Sequence, residues 1–389
     1  MSRETPPCAT VSAVAFVSNS ARCSHEAAPS VNAARGPENC RFPIVVPWQS
    51  EIGNPQFRVA GSPGLPGAVL RKIISAMKQA RFLILRGGAI GDFIVTLPAL
   101  AAIRRRWPDG YVELVGYPHI AGLAAVGGLV DRVVSLDRSE VAHYFAFEPD
   151  LAPSHVDYLR SFDVAISYLF DPSGVVCENL RNAGVRQVIY GMPVVHAGNA
   201  AEHLLKPLAE LAIFPEGVEY PRLALAPDLA AQGRARLAGI GKGVIAIHPG
   251  SGSPKKNWPL RNFVDLAQRV QASGAGAPVF LTGEADHEIA GRIPALAPGV
   301  PVLSGCTLVE LAAVLANCRG YVGNDSGITQ LAAALGIPAV AIFGPSDPAI
   351  WAPRGPNARV IATSERSSEA LGRIPVDAVW SALAAALAA

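Results

Sequence analysis

From residue 81 onward, short apolar runs rich in branched and aromatic residues alternate with longer stretches whose apolar positions recur at helical spacing. That is the pattern of repeated strand–helix units on a parallel sheet. The first series predicts strands at residues 81–85, 111–115, 132–136, 162–167 and 186–190, each followed by a helix. Pro215, Gly217, Pro221 and Pro227 then crowd one interval and mark a boundary between 225 and 226. A second series follows, with strands predicted at 244–248, 278–282, 320–322, 339–343 and 358–361. The alanine-rich stretch 376–388 reads as a last helix, expected to pack across the junction of the two halves.

Residues 1–76 carry no such pattern, because prolines such as Pro6, Pro29, Pro43 and Pro63 interrupt every short apolar run. They are predicted to be a disordered leader. The apolar run 11–17 behind Arg3 is a weak secretory-signal pattern, spoiled by Glu4 and two prolines. Met77, directly before the first strand, reads as an alternative start of the chain. The expected organisation is thus a leader (1–76), an N-terminal Rossmann-like domain (77–225) and a C-terminal Rossmann-like domain (226–389).

Composition narrows the function classes. Of the 389 residues, 50% are apolar and 16% charged, with a net charge of +2, which argues against a dedicated nucleic-acid binder. No uninterrupted apolar run approaches the ~18 residues of a membrane span, so a soluble or peripheral protein is expected. The six cysteines show no metal-ligand or CxxC spacing and read as isolated reduced thiols.

Ligands of open parallel sheets bind where strands end and helices begin, so chemistry is sought in those turns. The first is Arg86-Gly87-Gly88-Ala89-Ile90-Gly91-Asp92. Gly87, Gly88 and Gly91 permit positive φ and close approach of a ligand, but Arg86 stands where a dinucleotide fingerprint needs its first glycine. The helix that follows is predicted from about residue 92 to 106. Asp92 has two readings, a first-turn acid favoured by the helix dipole and a general base at the cleft. Arg104, Arg105 and Arg106 likewise fit either the dipole at the helix end or an acidic saccharide.

In the second half, His248-Pro249-Gly250-Ser251 leads through Lys255-Lys256-Asn257-Trp258-Pro259 into a helix, and offers a hydroxyl and a cation to phosphate oxygens. Gly323-Asn324-Asp325-Ser326-Gly327 opens another helix, whose N–H groups at 326–328 would face an anion such as a diphosphate. Asp325 reads as a cap or a partner for a sugar hydroxyl. Phe343-Gly344-Pro345-Ser346-Asp347-Pro348 ends the next strand in a further turn.

Taken in order, Gly91-Asp92, residues 96–100 (Thr-Leu-Pro-Ala-Leu), His248-Pro249-Gly250, Lys256-Asn257-Trp258-Pro259, Asn324-Asp325-Ser326-Gly327 and residues 343–348 resemble glycosyltransferase family 9, the lipopolysaccharide heptosyltransferases. The resemblance runs from about Met77 to the C-terminus. It implies an α/β GT-B fold, two facing Rossmann-like parallel-sheet domains with a central cleft. It further implies transfer of a sugar, heptose from ADP-heptose, to a lipopolysaccharide-core or related envelope saccharide with inversion. On this resemblance Asp92 is the base, Lys256 and Ser251 reach the donor phosphates, and Glu288, with Asp286 as its near rival, meets the ribose. Cys306 walls the base, and Asp325, Ser326, Gly327 and Gln330 complete the donor site. Gln330 stands where the family usually has histidine, and an amide can donate a hydrogen bond but carries no charge.

No Asp-x-Asp pair is present to hold a divalent metal, so neither metal nor cofactor is expected and the nucleotide sugar is itself the substrate. The competing expectations are a nucleotide-sugar epimerase of similar design and a non-catalytic saccharide-binding member.

Overall fold

The computed structural model describes residues 80–215 and 219–389. The predicted leader, the alternative start at Met77 and Cys8, Cys23 and Cys40 lie outside the described residues.

Two parallel sheets organise the chain. The first has β1 (Arg81–Leu85), β2 (Tyr111–Gly116), β3 (Arg132–Ser135), β4 (Val164–Ser167) and β5 (Gln187–Tyr190) in the order β3-β2-β1-β4-β5. The second has β6 (Ile245–His248), β7 (Pro278–Leu281), β8 (Val302–Leu303), β9 (Gly320–Asn324), β10 (Ala339–Phe343) and β11 (Ala358–Ala362) in the order β11-β10-β9-β6-β7-β8. Strand order reverses between β1 and β4 and between β6 and β9, the points where α/β sheets open a crevice at their carboxyl ends. The central strands are buried on both faces, as Leu83, Ile84, Ile247 and Val340 are, which is why they read as continuous apolar runs.

Four expectations differ from the structure. The helix foreseen from 92 to 106 is two helices, Ile90–Ile94 and Leu97–Arg106. Pro98 has no N–H for the Ile94 carbonyl and its ring crowds that oxygen, so the coil breaks and restarts. β4 and β5 begin later than predicted, after Asp163 and Arg186, whose side chains pair with each other at 2.6 Å instead of pointing into the sheet. The two-residue β8 has no counterpart in the prediction. Finally, the C-terminal helix Val376–Ala388 does not cross a junction. It lies on its own sheet beside helix Leu260–Ala272, and buries Val379 and Leu383 in a cluster with Trp258, Phe263 and Val270.

The lobes carrying the two sheets pack closely. Helix Pro118–Val126 meets helix Leu308–Leu315, Glu202 pairs with Arg354, and the Leu223 N–H donates to the Ala334 carbonyl at 2.8 Å. Most consequential, helix Ile90–Ile94 abuts helix Gly327–Ala334. A Cβ on Gly91 would sit 3.6 Å from the Gly327 Cα, and one on Gly327 only 2.6 Å from the Ile90 Cβ and 2.8 Å from the Gly91 nitrogen. Backbone touches backbone there. Among the remaining cysteines, Cys177 and Cys318 are buried and Cys306 half-buried, all as free thiols.

Candidate functional site

β1 delivers the chain into a turn that only glycine tolerates at Gly88, where φ is +94° and a side chain would press on the Asp92 carboxylate. The Ala89 N–H donates to Asp92 Oδ2 at 3.0 Å, so Asp92 caps its own helix. Its main-chain carbonyl is fixed too, accepting from Arg86 Nη2 at 2.6 Å and from the Thr96 hydroxyl at 2.9 Å. Arg86 is 4% exposed and also donates to the Tyr168 carbonyl at 3.2 Å. Burial pulls its guanidinium below the ordinary arginine pKa, while the neighbouring Asp92 charge pulls it back up. The capping reading of Asp92 is therefore met, and the same carboxylate also lines a cavity of about 570 Å³ with Gly87, Gly88, Tyr117, Phe145, Phe170 and Trp351. Arg104 and Arg105 are engaged elsewhere, Arg104 with the Gly110 carbonyl and Asp131 and Arg105 with Glu219.

Across the cleft, β9 ends at Asn324 and helix Gly327–Ala334 begins with Ser326 as its cap, the Ser326 hydroxyl accepting from the Thr329 N–H at 3.3 Å. Asp325 Oδ2 lies 2.7 Å from Lys256 Nζ, so this carboxylate is neutralised by the neighbouring cation at the helix start. Ser251 Oγ lies 2.6 Å from Asn257 Oδ1 and accepts from the Ser253 N–H at 3.2 Å. Asn324 ties these motifs together. Fully buried, it accepts from the Trp258 N–H at 2.9 Å and donates to the Pro249 carbonyl at 2.9 Å.

The remaining predicted residues follow the sheet outward. Asp286, buried after β7, accepts from the Gly283 N–H at 2.8 Å and sits 3.3 Å from His248 Nε2. Burial would raise its carboxyl, but these hydrogen bonds hold it below its ordinary value. A Cβ on Gly250 would fall 1.8 Å from Asp286 Oδ1, so only glycine fits between them. Glu288 is exposed in the first turn of the next helix, free of the Asp286 network. Cys306 follows β8, and burial pushes its thiol pKa up, keeping it neutral. Gln330 is 5% exposed and its Nε2 donates to the carbonyl of Trp351, a wall of the cavity.

Strand order turns these residues into a row. Ser326 and Gly327 follow β9, Ser251 and Lys256 follow β6, Glu288 follows β7 and Cys306 follows β8, and β9-β6-β7-β8 are successive neighbours. Three strand spacings are about 14 Å, a fit for an extended nucleoside diphosphate laid across the strand ends. Sequence reasoning assigned no role to Asn324, Arg86 or Trp351. Asn324 and Arg86 lie inside the glycine-rich motifs, but the Arg86 bond to the Tyr168 carbonyl and the Gln330 bond to the Trp351 carbonyl join residues 82 and 21 apart in the chain.

Residues 197–374 match the model of "Glycosyltransferase family 9 (heptosyltransferase)". Lipopolysaccharide heptosyltransferase 1 of Pseudomonas aeruginosa is 27% identical over 300 residues, 69% of this chain and 79% of that protein. Among solved structures, a family 9 glycosyltransferase of Veillonella parvula superposes with a TM-score of 0.67 at 19% identity, over 79% of this chain and 97% of that one. The E. coli ADP-heptose lps heptosyltransferase II does so at 0.63 and 20% identity, over 79% and 98%. The paired parallel sheets, the order of the motifs along them and these matches agree: the chain has the GT-B fold and is a heptosyltransferase-like glycosyltransferase, similar to family 9 over residues 197–374.

Proposed function

We propose that the chain transfers heptose from ADP-heptose to a saccharide of the lipopolysaccharide core or a related envelope glycan, with inversion and without a metal. The observation that carries this reading is the meeting of Gly91-Asp92 in one lobe with Ser326-Gly327 in the other. That contact brings the helix carrying Asp92 against the start of helix Gly327–Ala334, which supports a site shared between the two.

In this reading the diphosphate lies over the start of helix Gly327–Ala334, where free N–H groups and the helix dipole favour negative charge. Lys256 adds a cation there and offsets Asp325, which would otherwise repel the ligand. Ser251 turns its hydroxyl to the phosphates, Glu288 meets the ribose and Cys306 walls the base. The donor named for the E. coli neighbour is ADP-heptose, and the row of residues is the right length for an ADP group.

The acceptor enters from the opposite side, through the cavity floored by Asp92. Its hydroxyl attacks the anomeric carbon on the face away from the leaving ADP, through a transition state with oxocarbenium character. Asp92 accepts the proton as the new bond forms, a role worth about 10²–10⁴ in rate. Arg86 holds the Asp92 backbone, and therefore the carboxylate's position. No helix among the described residues is long and apolar enough to cross a membrane. In this reading a lipid-borne acceptor would be met by peripheral contact at the cytoplasmic face of the inner membrane.

The test is Asp92→Asn, which keeps the shape of the side chain. ADP affinity should stay within about twofold while kcat falls by about 10²-fold or more. Equal turnover in the variant removes Asp92 from the chemistry.

A further inference from the structure

The acceptor side of the cleft is unusually poor in charge. Arg86 and Asp92 are the only charged residues that line the 570 Å³ cavity among the described residues. Arg86 is committed to two main-chain carbonyls, those of Tyr168 and Asp92. The walls are aromatic and aliphatic. Phe145 and Phe170 are 46% and 64% exposed, although rings of that size are normally buried. Tyr117 and Trp351 complete the enclosure, and Val194 continues it outward.

These rings come from different places. Phe145 follows β3, Phe170 follows β4, and Trp351 reaches in from the second lobe, its carbonyl held by Gln330. Pro193, Val194 and Val195 form part of the wall, and the stretch is braced just before them by His203, whose Nε2 lies 2.9 Å from the Met192 carbonyl. The basic cluster of helix Leu97–Arg106 does not contribute, because its engaged arginines face Asp131 and Glu219.

Resting on the glycosyltransferase reading, we propose that this cavity takes an uncharged acceptor sugar, held by stacking of its C–H face on Phe145 and Phe170, and discriminates against a sugar that carries a carboxylate. A carboxylated ring would lose hydration on entry and find no free cation to replace it, a cost that an apolar cavity imposes on any unpaired charge. A neutral pyranose keeps its hydroxyls at the wet rim and presents its apolar face to the rings, with one hydroxyl directed at Asp92. The exposed phenylalanines thereby acquire a partner that the protein does not supply.

Two saccharide acceptors with the same aglycone, one ending in a neutral aldopyranose and one in a carboxylated ulosonic acid, decide the matter with ADP-heptose as donor. The neutral acceptor should be used, with a KM at least about tenfold lower and unchanged from about 0.05 to 0.5 M salt, because no ion pair is there to be screened. Phe170→Ala, an exposed position that leaves folding intact, should raise the neutral-acceptor KM about fivefold without altering ADP affinity, and Phe170→Tyr should restore it. Preference for the carboxylated acceptor, a KM that climbs with salt, or use of neither acceptor by protein that binds ADP overturns the proposal. Failure to bind ADP overturns the donor reading instead.

Discussion

Gly327→Ala tests the contact on which the site rests. The added methyl would sit 2.6 Å from the Ile90 Cβ, 2.7 Å from its Cγ2 and 2.8 Å from the Gly91 nitrogen, about 1 Å inside ordinary contact. Gly91 N is backbone in the opposite lobe, so no rotamer change relieves the overlap and the lobes must part. Overpacking of that size costs about 1–3 kcal/mol. Alanine's better helix propensity works the other way, by up to ~1 kcal/mol, so the sign of the stability change is itself informative. Gly291 is the control, a helical glycine with nothing within 4 Å of its would-be Cβ, where alanine should stabilise. Separation of Asp92 from the anion site by about 1 Å should lower kcat by about 10²-fold. Urea unfolding midpoints and steady-state turnover of both variants are the assay. Were Gly327→Ala to gain stability as Gly291→Ala does, or to keep wild-type turnover, the seam would not be as tight as argued.

Further outcomes follow from other bonds. Asn324→Ala strips buried partners from the Trp258 N–H and the Pro249 carbonyl. It should cost about 2–4 kcal/mol in urea unfolding and weaken ADP binding measured by calorimetry. Because the folded-state pKa of Asp286 is lowered, its contribution to stability is present above the ordinary 3.8 and fades as pH falls through the folded value. Asp286→Asn should therefore flatten the acid limb of a stability–pH curve below about pH 4. Under the proposed mechanism, in which Lys256 and the helix start would stabilise the leaving group in place of a metal, turnover should persist in EDTA. Loss of activity restored by magnesium would refute that assignment.

Much of this was legible in the chain, and the exceptions have common causes. Strands β1, β6 and β10 stand where their apolar runs place them, because burial on both faces leaves no competing pattern. β8 escaped, since Val302 and Leu303 lie between Pro301 and Gly305 in too short a run to show a period. The alanine-rich C-terminal helix offered an apolar face without a direction, and only Val379 and Leu383 in place against Trp258 reveal its partner. The glycine and serine turns of the site were readable because they are local. Lys256 with Asp325, 69 residues apart, and Gln330 with the Trp351 carbonyl were not, because periodicity carries nothing about which turns converge. Phe145 and Phe170 were invisible for a related reason. A single aromatic in a loop has no pattern, and its meaning comes only from the other rings around it.

The order β9-β6-β7-β8 has an evolutionary corollary. Its last member is the margin of the sheet, with one neighbour and a short loop around Cys306, whereas β9 is central and locked by Asn324. Insertions or exchanges at that margin leave the middle of the sheet untouched. Under the proposed donor reading, a lineage or an engineer is free to remodel nucleobase choice at the periphery while the turns proposed to handle the pyrophosphate are inherited intact.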